Sequence, residues 1–257
     1  IPAITGVDTR ELTKHLRENG TMQATLIFEG NNTTPVAKEG NLVAEVSCKE
    51  VITYNAGAGK KVVLVDCGVK EGIIRYLLSR GVEVTRVPWD YDFNQLEADA
   101  VIISNGPGNP EECAATIQHI KTFLSKGENK PLLGLDLGNL LIALAAGAKV
   151  LKHKYGHHGA TQPVQIVGGE RCYITAQNHG YVVDGTTLPA EWKEWFINMN
   201  DRTNEGIRHA EKPWMAVQFI PEMNCEQAGS PTEHVASWGA SKDSEFVFDN
   251  FFQLLNK

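Results

Sequence analysis

Four short stretches combine residue types and spacings that chemistry can use. In Gly134-Leu135-Asp136-Leu137-Gly138 a carboxylate sits midway between two glycines. A strand that enters a helix through such a turn forces the central side chain outwards, the geometry of a nucleophile elbow. An aspartate there is either a covalent nucleophile, as in some hydrolases, or a plain helix N-cap, which the spacing alone favours. In Ser104-Asn105-Gly106-Pro107-Gly108-Asn109-Pro110 the glycines let the chain turn sharply and aim amide N–H groups at a ligand. The same heptapeptide also reads as an ordinary Gly/Pro turn. Gln177-Asn178-His179-Gly180-Tyr181 sets a histidine beside a glycine in an expected loop, suited to binding or moving a proton, although a lone histidine is more often structural. In Ala216-Val217-Gln218-Phe219-Ile220-Pro221-Glu222 a carboxylate follows a strand end and a backbone-fixing proline. Glu222 could orient a catalytic group there, but Ile220 offers nothing to orient.

Strands and helices must hold these stretches together. From Lys61 onwards short apolar runs alternate with helical patterns. Strands are expected at 62–65, 82–87, 100–104 and 132–135, and helices at about 70–80, 112–126 and 140–146, with Gly81 and Gly127 as stops. Further strands are expected at 163–167, 171–175 and 214–219, and a last helix at about 243–256 with Phe248, Phe251, Phe252 and Leu255 at core spacing. Continuous apolar strands alternating with helices predict an α/β fold: an open, mostly parallel sheet with helices on both faces. Ligands of such sheets bind beyond the carboxyl ends of the strands, where the first two stretches fall. Residues 1–55 read differently. They offer a helix with Asp8 or Thr9 as cap and Leu12 and Leu16 on one face, a strand at Thr25–Phe28, a polar loop at 30–35 and a linker at 55–60. That is thin for a core of its own, so this part is expected either to pack on something else or to be the remnant of a longer N-terminal domain, with 61–257 the main domain.

Composition narrows the function. Lys and Arg number 24 against 31 Asp and Glu, a net charge of −7, which argues against nucleic acid as the main partner. The longest apolar runs, such as 140–148, are too short to span a bilayer, and no signal-peptide pattern follows Ile1-Pro2. Five cysteines without a Cys-x-x-Cys pair do not make a disulfide framework, so a reducing, cytoplasmic setting is expected.

Taken in order, Ser-Asn-Gly-Pro-Gly, the Gly-x-x-x-Gly elbow, Gln-Asn-His-Gly and Gln-Phe-x-Pro-Glu resemble the class I (triad-type) glutamine amidotransferases, which are flavodoxin-like in fold. The likeness is closest to the small, glutaminase subunits of carbamoyl phosphate synthetases. It is supported by Gly6–Arg10, Val65–Lys70, Leu144–Lys149, Tyr155-Gly156-His157-His158-Gly159 and Asn204–Ile207, and runs over nearly the whole chain. The resemblance implies a cysteine at the elbow that attacks the glutamine side-chain amide, a histidine base, a glutamate that orients it, and ammonia passed to a synthetase subunit or domain, in pyrimidine and arginine biosynthesis. It implies no cofactor. It maps the oxyanion hole onto the amides of Leu137 and Gly108, and substrate contacts onto Gly106, Asn178, Gly180 and Tyr181.

The departures from that pattern decide the expected function. The nucleophile position holds Asp136 and the base position Ile220; of the triad only Glu222 remains, and Leu140 replaces a substrate-holding glutamine. Losing nucleophile and base removes the covalent route. The expectation is a catalytically degenerate glutaminase that serves a carbamoyl phosphate synthetase-type large subunit or domain as a structural or regulatory partner. The alternative is a repurposed hydrolase built on Asp136 and Glu222. Residues 223–241 are longer than the link expected there and contain Cys225, Glu226, Glu233 and His234. With Asp136 and His179 these could form a metal site or a new catalytic set. Their spacing matches no metal motif, and a polar loop over an idle pocket is the simpler reading.

Overall fold

A computed structural model of the chain describes residues 3–22, 24, 25, 27, 40–221 and 244–257. Glu222, the 223–241 stretch and the 30–35 loop lie outside the described residues. So do Leu26 and Phe28; Thr25 and Ile27, from the same expected strand, are in no strand.

Ten strands form one sheet in the order β1-β3-β2-β4-β5-β10-β9-β8-β6-β7. Its middle is β3 (Glu83–Pro88), β2 (Lys61–Asp66), β4 (Ala100–Ile103), β5 (Leu132–Leu135) and β10 (Trp214–Val217), all parallel. That is the flavodoxin-like order, in which the chain reverses direction across the sheet between β2 and β4. The mixed α/β class expected from the alternation is therefore the one found. β1 (Ile52–Tyr54), from the stretch read as remnant and linker, adds antiparallel to β3. On the other side β9 (Asn204–His209), β8 (Trp192–Asn198), β6 (Val150–Ile166) and β7 (Cys172–Val183) extend the sheet antiparallel.

The apolar runs work as a doubly covered sheet requires. On β2, Val63 and Val65 face one core, and Val62 and Leu64 the other. The first core takes Ile120 and Phe123 of α4 (Ala114–Lys126) and Leu140 and Leu141 of α5 (Leu137–Ala146). The second takes Ile73 and Leu77 of α3 (Glu71–Ser79), with Phe248, Phe251, Phe252 and Leu255 of α6 (Phe246–Leu255), as their spacing predicts. In α1 (Thr9–Asn19) Asp8 accepts the N–H of Glu11, so Asp8 rather than Thr9 is the cap; Leu12 and Leu16 are exposed. α2 (Leu42–Val46) puts Val43 into the first core.

Three elements differ from expectation for local reasons. α5 begins at Leu137, directly after the elbow, because its first turn, Leu137–Leu140, is buried on all sides and is packed between the sheet and α4. β6 and β7 run far beyond 163–167 and 171–175, so Gln177–Tyr181 is strand and not loop. Their ladder is rich in His, Gly, Gln and Thr, half-exposed and bulged, and lacks the apolar alternation that marks a strand.

Candidate active site

The elbow is built by close approach. A Cβ on Gly138 would lie 2.2 Å from the carbonyl oxygen of Ile103, and one on Gly134 2.7 Å from the carbonyl oxygen of Gly138. Both glycines are needed for α5 to start against β4 and β5. Between them Asp136 takes φ 51° and ψ −105°, a backbone region costly for a side-chain-bearing residue. Its N–H donates to Val217 O at 2.8 Å, which ties the turn to β10. Asp136 stands at the N-cap position but makes no side-chain cap bond. The cap reading is thus corrected: the side chain is turned outwards, and its Oδ1 accepts from Gln218 Nε2 at 3.1 Å. Gln218, fully buried, accepts in turn from Asn139 Nδ2 at 2.9 Å.

The neighbouring loop is fixed from β2. Asp66, fully buried at the β2 carboxyl end, accepts the N–H groups of Cys48, Gly68 and Val69 at 2.8–2.9 Å and pairs with Arg86 at 2.6 Å. Burial works against the charged form, but these donors outweigh it and hold the Asp66 carboxyl below the usual carboxylate range. The loop so held presses on the second one: a Cβ on Gly106 would lie 2.0 Å from Cys67 O. The Gly/Pro stretch is therefore a close backbone contact rather than a free turn.

Beyond these ends opens a cleft of about 520 Å³. Asp136, Gly106, Gly108 and Leu137 line it from the parallel strands, and Asn178, His179, Gly180 and Tyr181 from β7. Every described residue expected from the sequence to touch substrate lies there. Leu140 adds an apolar patch. Lys152 and His158 of β6 line the cleft as well, and His158 Nδ1 lies 2.8 Å from Asn178 Oδ1. Nothing in the sequence singles out Lys152. His158 belongs to the Tyr155–Gly159 run, which supports the family resemblance without assigning it a role.

Ile220 is buried and donates its N–H to Ala176 O at 2.9 Å. Glu222, Cys225 and His234 lie outside the described residues. The thiols of Cys67 and Cys113 are buried in the first core, and burial, with Glu112 nearby, pushes Cys113 up to about 12. At the cleft wall His179 joins a buried polar group instead of Asp136. Its Nδ1 is 2.9 Å from Tyr181 O, and its Nε2 is 3.2 Å from Gln177 Oε1 and 3.8 Å from Glu205 Oε2. Burial, reinforced by the neighbouring His157, pushes His179 down to about 3. For His157 burial is outweighed by Glu205 and Asp201, which raise it to about 8.

Residues 63–233 match the family described as glutamine amidotransferase class-I. The chain belongs to the class-I glutamine amidotransferase family. This amidotransferase-family chain is 46% identical, over its whole length, to the mitochondrial carbamoyl-phosphate synthase [ammonia] of Mus musculus, of which it spans 16%. It is 40% identical to the carbamoyl phosphate synthase arginine-specific small chain of Saccharomyces cerevisiae, covering all of this chain and 62% of that one. Among solved structures it resembles a GMP synthase subunit protein from Thermoplasma acidophilum, with a TM-score of 0.61, 26% identity and coverage of 77% of this chain and 94% of the other. A glutamine amidotransferase from Thermotoga maritima shares the fold at a TM-score of 0.56 and 16% identity, covering 77% and 96% of the two chains. The curated relatives include long carbamoyl phosphate synthase polypeptides of which this region is one part. Among the described residues no helix is long and apolar enough to cross a membrane.

Proposed function

We propose that this chain keeps the amidotransferase scaffold without glutamine hydrolysis, and serves an ammonia-using, carbamoyl phosphate synthetase-type large subunit or domain as a structural or regulatory module. One observation carries the reading: the elbow side chain is a carboxylate bonded to the Gln218 amide, and the residue in the expected base position is the buried, apolar Ile220. Acyl transfer from an amide needs a thiol or hydroxyl nucleophile and a group to take its proton. A carboxylate instead would form an anhydride, a poor intermediate. Its charge would also oppose the oxyanion that the family resemblance assigns to the Leu137 and Gly108 amides. The mouse relative, 46% identical, has ammonia in its name and agrees with the reading.

The test is ammonia release from glutamine by the purified chain, with Asp136→Ala as control. Equal rates are expected, together with measurable affinity for the large subunit of a carbamoyl phosphate synthetase. A rate above the control, or a folded chain without that affinity, overturns the proposal. As for compartment, the free cysteines Cys48, Cys67, Cys113 and Cys172 support a reducing one. We propose the cytoplasm; cell fractionation decides between it and the mitochondrion named for the mouse relative.

A second reading has its own support. Asp136 does not cap its helix and faces a large cleft, which supports a repurposed hydrolase in which Glu222 and the 223–241 stretch supply the other groups. That reading requires an activity lost in Asp136→Asn and not restored in Asp136→Cys.

A further inference from the structure

We infer that His157, His179 and Glu205 form a binding site for a divalent transition-metal cation of the zinc class, at the wall of the cleft. The site does not depend on the function proposed above. The sequence groups His179 with Asp136, Cys225 and His234; the fold groups it with residues from β6 and β9.

Three strands bring the donors together. His157 and His179 are cross-strand partners in the β6–β7 ladder, so their rings lie on one face, with centroids 5.0 Å apart. Glu205 is the extra residue of a bulge in β9: Gly206 pairs with Phe196 and Asn204 with Ile197, and Glu205 pairs with neither. A bulge of this kind re-aims a side chain, and here it brings the carboxylate to the two rings. All three side chains are buried, Glu205 fully.

The hydrogen bonds aim the donor atoms of the three side chains inwards. Tyr181 O can only accept, so His179 Nδ1 carries the proton there, and in the neutral ring Nε2 presents its lone pair. The Gln177 amide donates to Thr175 Oγ1, which turns its Oε1, another acceptor, towards that same Nε2. His157 Nε2 lies 2.9 Å from Asp201 Oδ2 and donates to it; Nδ1, 2.9 Å from Glu205 Oε1 but without hydrogen-bond alignment, carries the second proton of a ring that the two carboxylates keep charged, and a bound metal ion would displace that proton. Glu205 Oε1 accepts from Asn198, whereas Oε2 is buried without a hydrogen-bond partner. Two ring nitrogens and a carboxylate with one unpartnered oxygen therefore converge, and the His157 Nδ1 proton is the one that a cation would replace. A cation is what such a set accepts.

The distances suit a small one. The three donor atoms lie within 4.8 Å of one another. The nearest approaches, 2.9 Å from His157 Nδ1 to Glu205 Oε1 and 3.8 Å from His179 Nε2 to Glu205 Oε2, involve the two oxygens of the carboxylate and lie on either side of the ~3.4 Å separation of tetrahedral donors bound at ~2.1 Å. Asp201 behind His157 and Tyr181 O behind His179 are the outer partners that metal-bound histidines use to fix their tautomers. His153 and Asp201 do not make a second site. His153 Nδ1 accepts from Gly156 N–H and its Nε2 lies 3.3 Å from Asp201, so that set is satisfied internally.

Such a cation would pin the β6–β7 ladder to β9 under the residues of β7 that line the cleft. The experiment titrates the chelator-treated full chain with Zn²⁺ against a chromophoric competitor, and with Co²⁺ by visible absorption. One ion per chain is expected, with a tetrahedral Co²⁺ spectrum and a thermal midpoint that rises with Zn²⁺. Glu205→Gln, equal in shape, should abolish the spectrum, and Asp201→Asn should weaken Zn²⁺ binding roughly 10- to 100-fold. Circular dichroism confirms that each variant is folded; if Glu205→Gln is not, the Asp201→Asn affinity decides. No uptake by the wild-type chain, or uptake unchanged in the folded variants, overturns the inference.

Discussion

The cleft has two walls, and they are built by opposite means. The wall from the parallel strands is made of backbone. Gly106, Gly134 and Gly138 are in place because a Cβ would strike a carbonyl oxygen, and that constraint is indifferent to which side chain stands at position 136. The wall from β6 and β7 is made of side chains: Lys152, His158 and His179 line the cleft, and His157, with Glu205 of β9, is grouped with His179. The contrast teaches that an elbow can survive a complete change in the chemistry of its central residue. Its geometry is enforced by close packing, whereas the opposite wall depends on polar groups that must find partners when buried.

Breaking the support of the first wall should have the largest effect. Asp66→Asn leaves Arg86 without its buried partner and weakens three N–H bonds, for a loss of about 3 kcal/mol in urea unfolding. The folded-state carboxyl titrates below the unfolded one, so its contribution is present in full above the ordinary value of about 3.9 and fades as pH falls through the lower folded value. The stability gap between wild type and variant should therefore be constant near neutrality and narrow below about pH 4; a gap that widened on acidification would contradict the assignment.

Gly138→Ala tests the packing itself. The added methyl meets backbone, which cannot yield, and the cost should reach the upper part of the ~1–3 kcal/mol range for overpacking. An unchanged denaturation midpoint would mean that the elbow is looser than the 2.2 Å approach to Ile103 O requires.

The smallest effect sharpens the comparison from the other side. Asp136→Gly removes a side chain held at positive φ and should raise stability by about 1 kcal/mol, even though the Gln218 bond is lost. A clear loss of stability would show that the carboxylate, and not only the backbone, helps to hold the elbow.

Much of the first wall is legible in the sequence. Val62–Val65 reads as a strand buried on both faces, Gly127 closes α4, and the Gly-x-Asp-x-Gly spacing announces a sharp turn into α5. The second wall is not. In Val150–Ile166, His, Lys, Gly and Gln stand at positions that alternate only loosely between the sheet's faces, so no period of two appears. β8 and β9 escape the pattern as well, because Lys193 and Glu194 interrupt the apolar run of Trp192–Asn198 and bulges break the register. The Asn204–Ile207 run carries Glu205 without any sign that a bulge brings it to His157 and His179.

The sequence by itself determined the sheet's parallel centre, the elbow and the identity of the side chain it presents, because local sterics and apolar periodicity act over a few neighbouring residues. Only the tertiary structure decided that Asp136 turns away from its helix towards Gln218, 82 positions along the chain, and that His157 and Glu205, from different strands, meet around His179. Those choices depend on register, bulges and burial, which no single segment encodes.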